Sequence, residues 1–146
     1  MHEQPKALRD RRHKHYCTIP MSNHKSETNR AIEYLDGLLR EAVEAGADTI
    51  ELERVPEGLE ICFLTRGAGG GTVLEDRELE AELFALIVHR AGLEDRARGK
   101  MAWSMPGGSL TIAVEEYDSF GEYCLRLRLA KLRPPGHSRG PSPNRR

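Results

Sequence analysis

A glycine-rich stretch is the first candidate for chemistry in this sequence of 146 residues. Residues 67–71 read GAGGG, which in composition resembles a phosphate-binding loop. Such a loop needs a lysine and a hydroxyl directly after its last glycine, because these groups neutralise phosphate and hold magnesium. Thr72 follows this run without a lysine, and Gly99-Lys100 is followed by Met101. The sequence therefore predicts no nucleotide hydrolysis.

Cysteines and histidines are few and poorly placed for catalysis or metal binding. Cys17, Cys62 and Cys124 are widely spaced and odd in number, which argues against a disulfide framework. Arg126 could lower the pKa of the Cys124 thiol only if both side chains shared an exposed face. His13 and His15 near Cys17 could hold an adventitious metal, but a basic unstructured leader is the simpler interpretation. We therefore predict no metal site.

Paired carboxylates are the remaining catalytic candidates. The pairs Glu51/Glu53 and Glu115/Glu116 fall on strands or turns that face solvent. Acid–base catalysis by two carboxylates needs one of them in an apolar pocket that raises its pKa. No such pocket is indicated, so we predict a protein that is not an enzyme and that uses no cofactor.

Charge divides the chain into three parts. Residues 31–130 hold 10 basic and 20 acidic residues, whereas residues 131–146 hold 5 basic residues and no acidic one. An acidic body is repelled by phosphate backbones, so it is a poor nucleic-acid surface. The longest strictly apolar run, residues 83–88, is too short to span a membrane, and no signal peptide is indicated. We expect a cytoplasmic protein.

Hydrophobic periodicity predicts one domain over residues 28–130, between a disordered basic leader (1–27) and a disordered basic, proline-rich tail (131–146). Helices are predicted at about 28–45 and 76–91, each closed by a glycine. Alternating residues predict two strands after the first helix and three after the second, while residues 67–71 predict a flexible loop before a short strand at 72–74. Short turns require antiparallel neighbours. We expect an α+β two-layer fold, in the order α-β-β-(β)-α-β-β-β, with an antiparallel sheet of five to six strands covered by two helices.

Residues 38–53, LLREAVEAGADTIELE, resemble the opening of the N-terminal PAS-like subdomain of type II secretion and type IV pilus assembly ATPases. There, an amphipathic helix ends in a small residue and is followed by a strand reading Ala-Ser-Asp-Ile-His-Ile-Glu. Ala47, Ile50 and Glu53 match that strand, and Glu51 replaces the histidine. The resemblance extends over residues 28–129 in the same element order, through AGL at 91–93 and the closing strand from Gly121-Glu122 to LRL at 125–127.

The departures from this family concern residues that carry its function. Its second strand ends in Arg-x-Asp-Gly, whereas Arg66-Gly67 here lacks the aspartate. Ala113 lies about where the family has an arginine that reaches a neighbouring subunit's nucleotide. The 17 residues after Leu129 are too few for the RecA-like ATPase domain, so we expect that domain to be absent. The resemblance therefore implies an orphan, degenerate relative in bacteria, without catalysis of its own.

In that family the subdomain packs against a neighbouring ATPase domain, so the resemblance implies a protein-interaction module that docks on an ATPase or assembly component. Candidate interaction residues are Arg66, Glu122, Arg126 and Arg128, although a solvated strand face is the simpler interpretation of the last two. Two alternatives stay open: an acidic secretion-chaperone-like dimer that binds a client protein, and a PAS-like sensor of a small ligand. A weak homo-oligomer is also left open.

Overall fold

The structure is a computed structural model that describes residues 27–130. The predicted tail and all of the predicted leader except Glu27 lie outside the described residues. Two helices and six strands follow one another along the chain, with these bounds: α1 Asn29–Glu44, β1 Thr49–Val55, β2 Gly58–Thr65, β3 Ala68–Leu74, α2 Arg77–Ala91, β4 Arg98–Met105, β5 Gly108–Ser119 and β6 Glu122–Leu129.

Both helices begin at a side-chain cap and end where the sequence predicts. The Thr28 hydroxyl accepts a hydrogen bond from the Ala31 N–H, and the Asp76 carboxylate accepts from the N–H groups of Glu78 and Leu79. These caps satisfy backbone donors that the first helical turn leaves unpaired. Gly92 ends α2 in the left-handed conformation, with φ 69°. None of the described helices is long and apolar enough to cross a membrane.

All six strands form one sheet in the order β3-β2-β1-β6-β5-β4, and every neighbouring pair is antiparallel. The sheet therefore consists of two three-stranded meanders, joined in the centre by β1 and β6. The α+β class, with a six-stranded antiparallel sheet and two helices, is confirmed.

The glycine run belongs to a strand, so the prediction of a flexible loop over residues 67–71 is wrong. The β2–β3 turn consists of Arg66 and Gly67 alone, with φ 55° and 83°, and β3 begins at Ala68 on the edge of the sheet. A Cβ on Gly69 would lie 1.9 Å from the Phe63 carbonyl oxygen. Glycine is required there because the backbone of β2 leaves no room for a side chain.

The core lies between the helices and one face of the sheet. Phe84 of α2 is fully buried and meets Tyr123 of β6 in an edge-to-face contact, with ring centroids 5.5 Å apart. Trp103 of β4 lies under α1, where its indole N–H donates to Asp36 Oδ1 at 2.9 Å. The space between helices and sheet is therefore filled by side chains; the largest fully buried ones are Phe84, Leu35, Leu39, Ile50, Leu52, Leu59, Ile61, Leu83, Leu86, Ile87, Leu110 and Ile112.

Glu80 of α2 is the buried charged residue of the described core, with 1% of its surface exposed. Its carboxylate lies between two arginines: Arg54 Nε is 3.0 Å from Oε2, and Arg77 Nη1 is 3.0 Å from Oε1. The Arg54 guanidinium also lies over the Phe84 ring, 5.0 Å from its centroid. This arrangement compensates the cost of burying the carboxylate, because it supplies two cations.

Candidate functional site on the outer face of the sheet

The face of the sheet turned away from the helices is the outer face. Side chains alternate along each strand, so the neighbours of the buried Ile50 and Leu52 point to this opposite side. No described helix covers it. Its central members are mostly half-buried by one another: Thr49, Glu51, Glu53, Glu60, Cys62, Leu64, Ala113, Glu115, Tyr117, Cys124 and Arg126, with the exposed Lys100 and Arg128 beside them.

Four charged residues of alternating sign cross the outer face in one row. The strand register places Glu51, Arg126, Glu115 and Arg98 side by side on β1, β6, β5 and β4. Arg126 Nε donates to Glu51 Oε2 at 3.0 Å, and Arg126 Nη1 lies 3.6 Å from Glu115 Oε1. Arg98 Nη2 lies 3.7 Å from Glu115 Oε2. We call these four residues the charged row.

Arg126 is held firmly in place within the charged row. Its guanidinium lies over the Tyr117 ring, 4.4 Å from the centroid, in addition to its two carboxylate partners. Partial burial lowers the pKa of Arg126, but the hydrogen bond and the charges of Glu51 and Glu115 outweigh it and raise the pKa. The charge of Arg126 is therefore engaged within the domain, and reversing it would place three carboxylates in contact.

Cys124 does share the outer face with Arg126, but the structure does not favour a reactive thiol. Cys124 is fully buried between Glu53 and Tyr117 on the neighbouring strands. Burial, followed by the negative charge of Glu53, raises the pKa of Cys124 to about 11. Cys62 is affected in the same direction, because burial and the charge of Glu60 raise its pKa. Both thiols are predominantly protonated at neutral pH.

Arg128 is an exposed residue of the outer face, unlike the half-buried Arg126. It lies on the outer face beside Ala113 of β5, and Ala113 in turn lies beside Lys100 of the edge strand β4. Arg128 and Lys100 are both exposed, and within residues 27–130 neither takes part in an ion pair. Their backbones are about 10 Å apart across one intervening strand. We call Arg128 and Lys100 the cationic pair.

Arg66 and Glu122 lie away from the cationic pair. Arg66 lies in the β2–β3 turn, where its backbone N–H donates to Asp48 Oδ2 at 2.8 Å; this hydrogen bond lowers the pKa of Asp48. That turn is at the same end of the sheet as Arg128. Glu122 begins β6 at the other end, about 20 Å from Arg128 along the strand. Of the four predicted residues, the structure brings only Arg126 and Arg128 together.

The residues that sequence reasoning missed are the partners set by strand register. Lys100 lies 28 positions before Arg128 in the numbering, so only the pairing of β4, β5 and β6 shows that they flank the same alanine. Within the described residues, no three His, Cys, Asp or Glu side chains are grouped to hold a metal ion. The outer face therefore offers charge and hydrogen bonds, which are suited to recognition.

No protein-family model matches the chain, and a search of curated proteins finds no significant match. The fold and the outer face define its class: an α+β domain whose antiparallel sheet is covered by helices on one side and carries ordered charges on the other.

Proposed function

We propose that this chain is a non-catalytic protein-interaction module of the PAS-like type found at the N terminus of type II secretion and type IV pilus assembly ATPases. The proposal is that it docks on such an ATPase, or on a component of the same assembly, through its outer face. The observation that carries the proposal is the cationic pair, Arg128 and Lys100, exposed on a sheet face that no described helix covers.

The cationic pair suits an acidic partner surface. Exposed charges at an interface steer encounter and select partners, and they contribute affinity when a partner desolvates them. Ala113 between the two cations has a short side chain, so a carboxylate could approach both. In the family that the sequence resembles, an arginine at about the position of Ala113 reaches a neighbouring subunit's nucleotide, and here Arg128 and Lys100 present cations on either side of that position.

Arg126 contributes to this surface in a different way. Because its guanidinium is engaged by Glu51, Glu115 and Tyr117, it holds the side chains of the outer face in place. A partner contact that needed its charge would have to compete with these interactions. We therefore assign docking to the cationic pair and structural support to Arg126.

The filled core supports an interaction module over a ligand sensor. A PAS-like sensor holds its ligand between sheet and helices, and here Phe84, Leu35 and Leu39 are fully buried in that layer. Close packing of this kind leaves binding to the surfaces of the domain.

The direct test is binding of the full chain to a purified secretion or pilus ATPase from the same organism, measured by biolayer interferometry. The variants are Arg128→Glu, Lys100→Glu and the double variant, and Arg96→Glu is the matched control because it reverses an exposed arginine in the loop before β4, outside the cationic pair. We expect the double variant to bind about tenfold more weakly or worse, and the control to bind like the unmodified chain. Added salt should weaken binding by the unmodified chain.

Two results would contradict the proposal in different ways. Absence of binding to any ATPase of this class at concentrations of about 100 µM would overturn the proposed function. Binding that is unchanged in the double variant would overturn the placement of the contact on the cationic pair. Circular dichroism and thermal melts of each variant show that a loss of binding is not a loss of folding.

A further inference from the structure

The edge strand β3 lacks the features that usually prevent sheet edges from pairing. A free edge presents unpaired N–H and C=O groups, and proteins protect it with charged residues, proline or bulges. Residues 68–74, AGGGTVL, contain no charge and no proline. The opposite edge, β4, carries Arg98 and Lys100. The two edges of the sheet therefore differ, and within residues 27–130 it is β3 that is left unprotected against pairing with another strand.

The hydrogen-bonding direction of β3 follows from its register with β2. The Asp48 N–H donates to the Leu64 carbonyl at 2.9 Å, so the even-numbered residues of β2 bond towards β1 and the odd-numbered ones towards β3. The paired residues of β3 are therefore 68, 70, 72 and 74. The backbone groups of Gly69, Gly71 and Val73 point away from the sheet.

The side chains around this edge do not obstruct an incoming strand. Gly69, Gly70 and Gly71 have none, and Val73 is 41% exposed, one of two large hydrophobic residues exposed in the described chain. An added strand would form backbone hydrogen bonds with Gly69, Gly71 and Val73 and would cover the Val73 side chain.

The charges at the two ends of β3 are complementary to those of a second copy. Arg66 lies at the Ala68 end, where Asp48 binds its backbone N–H, and the exposed Glu75 follows Leu74 at the other end. When two copies of β3 pair antiparallel about a two-fold axis at Gly71, Gly69 of each copy meets Val73 of the other. The same register places Arg66 of each copy opposite Asp76 of the other and one residue from Glu75, so symmetry brings an arginine close to carboxylates at both ends of the pairing.

We propose that two copies of this chain associate through antiparallel pairing of their β3 strands, which joins the two sheets into one of twelve strands. A seven-residue strand pair buries less than the roughly 1,000 Å² typical of stable interfaces. The dimer is therefore weak, with a dissociation constant on the order of 100 µM. This inference is independent of the function proposed above, because the cationic pair lies on other strands.

The test follows the full ¹⁵N-labelled chain by NMR and light scattering in a dilution series from about 1 mM to about 10 µM. The average mass should rise above 16.4 kDa with concentration, and the amide signals of Gly69, Gly71 and Val73 should shift and gain protection from exchange. Val73→Pro removes an outward N–H without breaking a β2–β3 bond, so it should lower the association constant by about tenfold or more. Val73→Ala keeps the N–H, so its association constant should be much closer to that of the unmodified chain.

A charge exchange provides a second variant set that leaves the strand untouched. Arg66→Glu and Glu75→Arg should each weaken association about threefold, and the double variant should recover part of the loss, because opposite charges again adjoin at each end of the pairing while Asp76 stays acidic. The proposal would be overturned if the chain were a monomer at 1 mM, or if the Val73→Pro variant associated normally. It would also be overturned if the concentration-dependent changes in chemical shift were confined to β4 or the outer face. Protection of the β3 amides from hydrogen exchange that does not depend on protein concentration would also overturn the proposal, since another segment of the same chain would then occupy the edge.

Discussion

Replacing Glu80 by alanine is expected to destabilise the domain by about 3 kcal/mol. The carboxylate is 1% exposed and lies 3.0 Å from both Arg54 and Arg77. Removing one partner of a buried ion pair costs about 3–5 kcal/mol, because the remaining charge is left uncompensated. The arginine side chains are 26% and 58% exposed, so water recovers part of their solvation and the lower end applies.

The same reasoning predicts that replacing Glu80 together with its partner Arg54 costs much less than replacing Glu80 alone. In Arg54→Met/Glu80→Leu, apolar side chains of similar volume replace the pair, and Arg77 can turn to solvent. We expect stability within about 1 kcal/mol of the unmodified chain, since well-packed apolar replacements of ion pairs are often neutral or better. Glu78→Ala is the matched control, because Glu78 is on the same helix with its side chain 84% exposed; it should cost less than about 0.5 kcal/mol.

Urea unfolding followed by circular dichroism measures all three variants, and thermal melts should show Glu80→Ala lower by about 12 °C. A loss below about 1 kcal/mol for Glu80→Ala would refute the argument, because the carboxylate would then not be compensating the arginines. A double variant as unstable as Glu80→Ala would refute it differently, by showing that shape and packing at this position matter more than charge.

Two further predictions concern the backbone of β3 and the buried thiol. Gly69→Ala should destabilise the domain by about 2 kcal/mol in urea unfolding, since the new Cβ would overlap the Phe63 carbonyl. Gly70→Ala is the control and should cost far less, because a Cβ at Gly70 meets nothing within 4 Å. The pKa of Cys124 is about 11 in the folded chain against 9.0 for an ordinary thiol, so folding favours the protonated thiol. Its contribution to the stability of the domain is therefore present below pH 9 and is lost as the pH rises to 11. Unfolding curves over this pH range should show a smaller loss for Cys124→Ser; an equal loss in both proteins would show that the thiol does not contribute.

The helices and five of the strands could be predicted because their signals are local. Leu35 and Leu39 recur at helical spacing, and glycines mark the ends of both helices. Of β3, only the end at residues 72–74 could be predicted, because the glycines before it present no alternation of apolar and polar side chains. What fixes β3 is the fit of Gly69 against the backbone of β2, which is a property of the folded pair.

The candidate site could be predicted only in part, because only some of its signals are local in the sequence. Arg126 and Arg128 are two residues apart on a strand, so alternation alone places them on one face. Alternation does not show which neighbours they meet. Glu51 is 75 positions from Arg126 in sequence, and Lys100 is on a different hairpin, so their roles depend on the order and register of all six strands.

The central position of β1 and β6 has a consequence for how the chain is made on the ribosome. These two strands lie in the two halves of the domain, and their contact between Glu51 and Arg126 spans 75 positions. At translation rates of about 5–20 residues per second, β1 emerges several seconds before the strand that pairs with it. During that interval the first meander has two open edges, β1 and β3, so the nascent chain is most exposed to misassembly just before its last strand is synthesised.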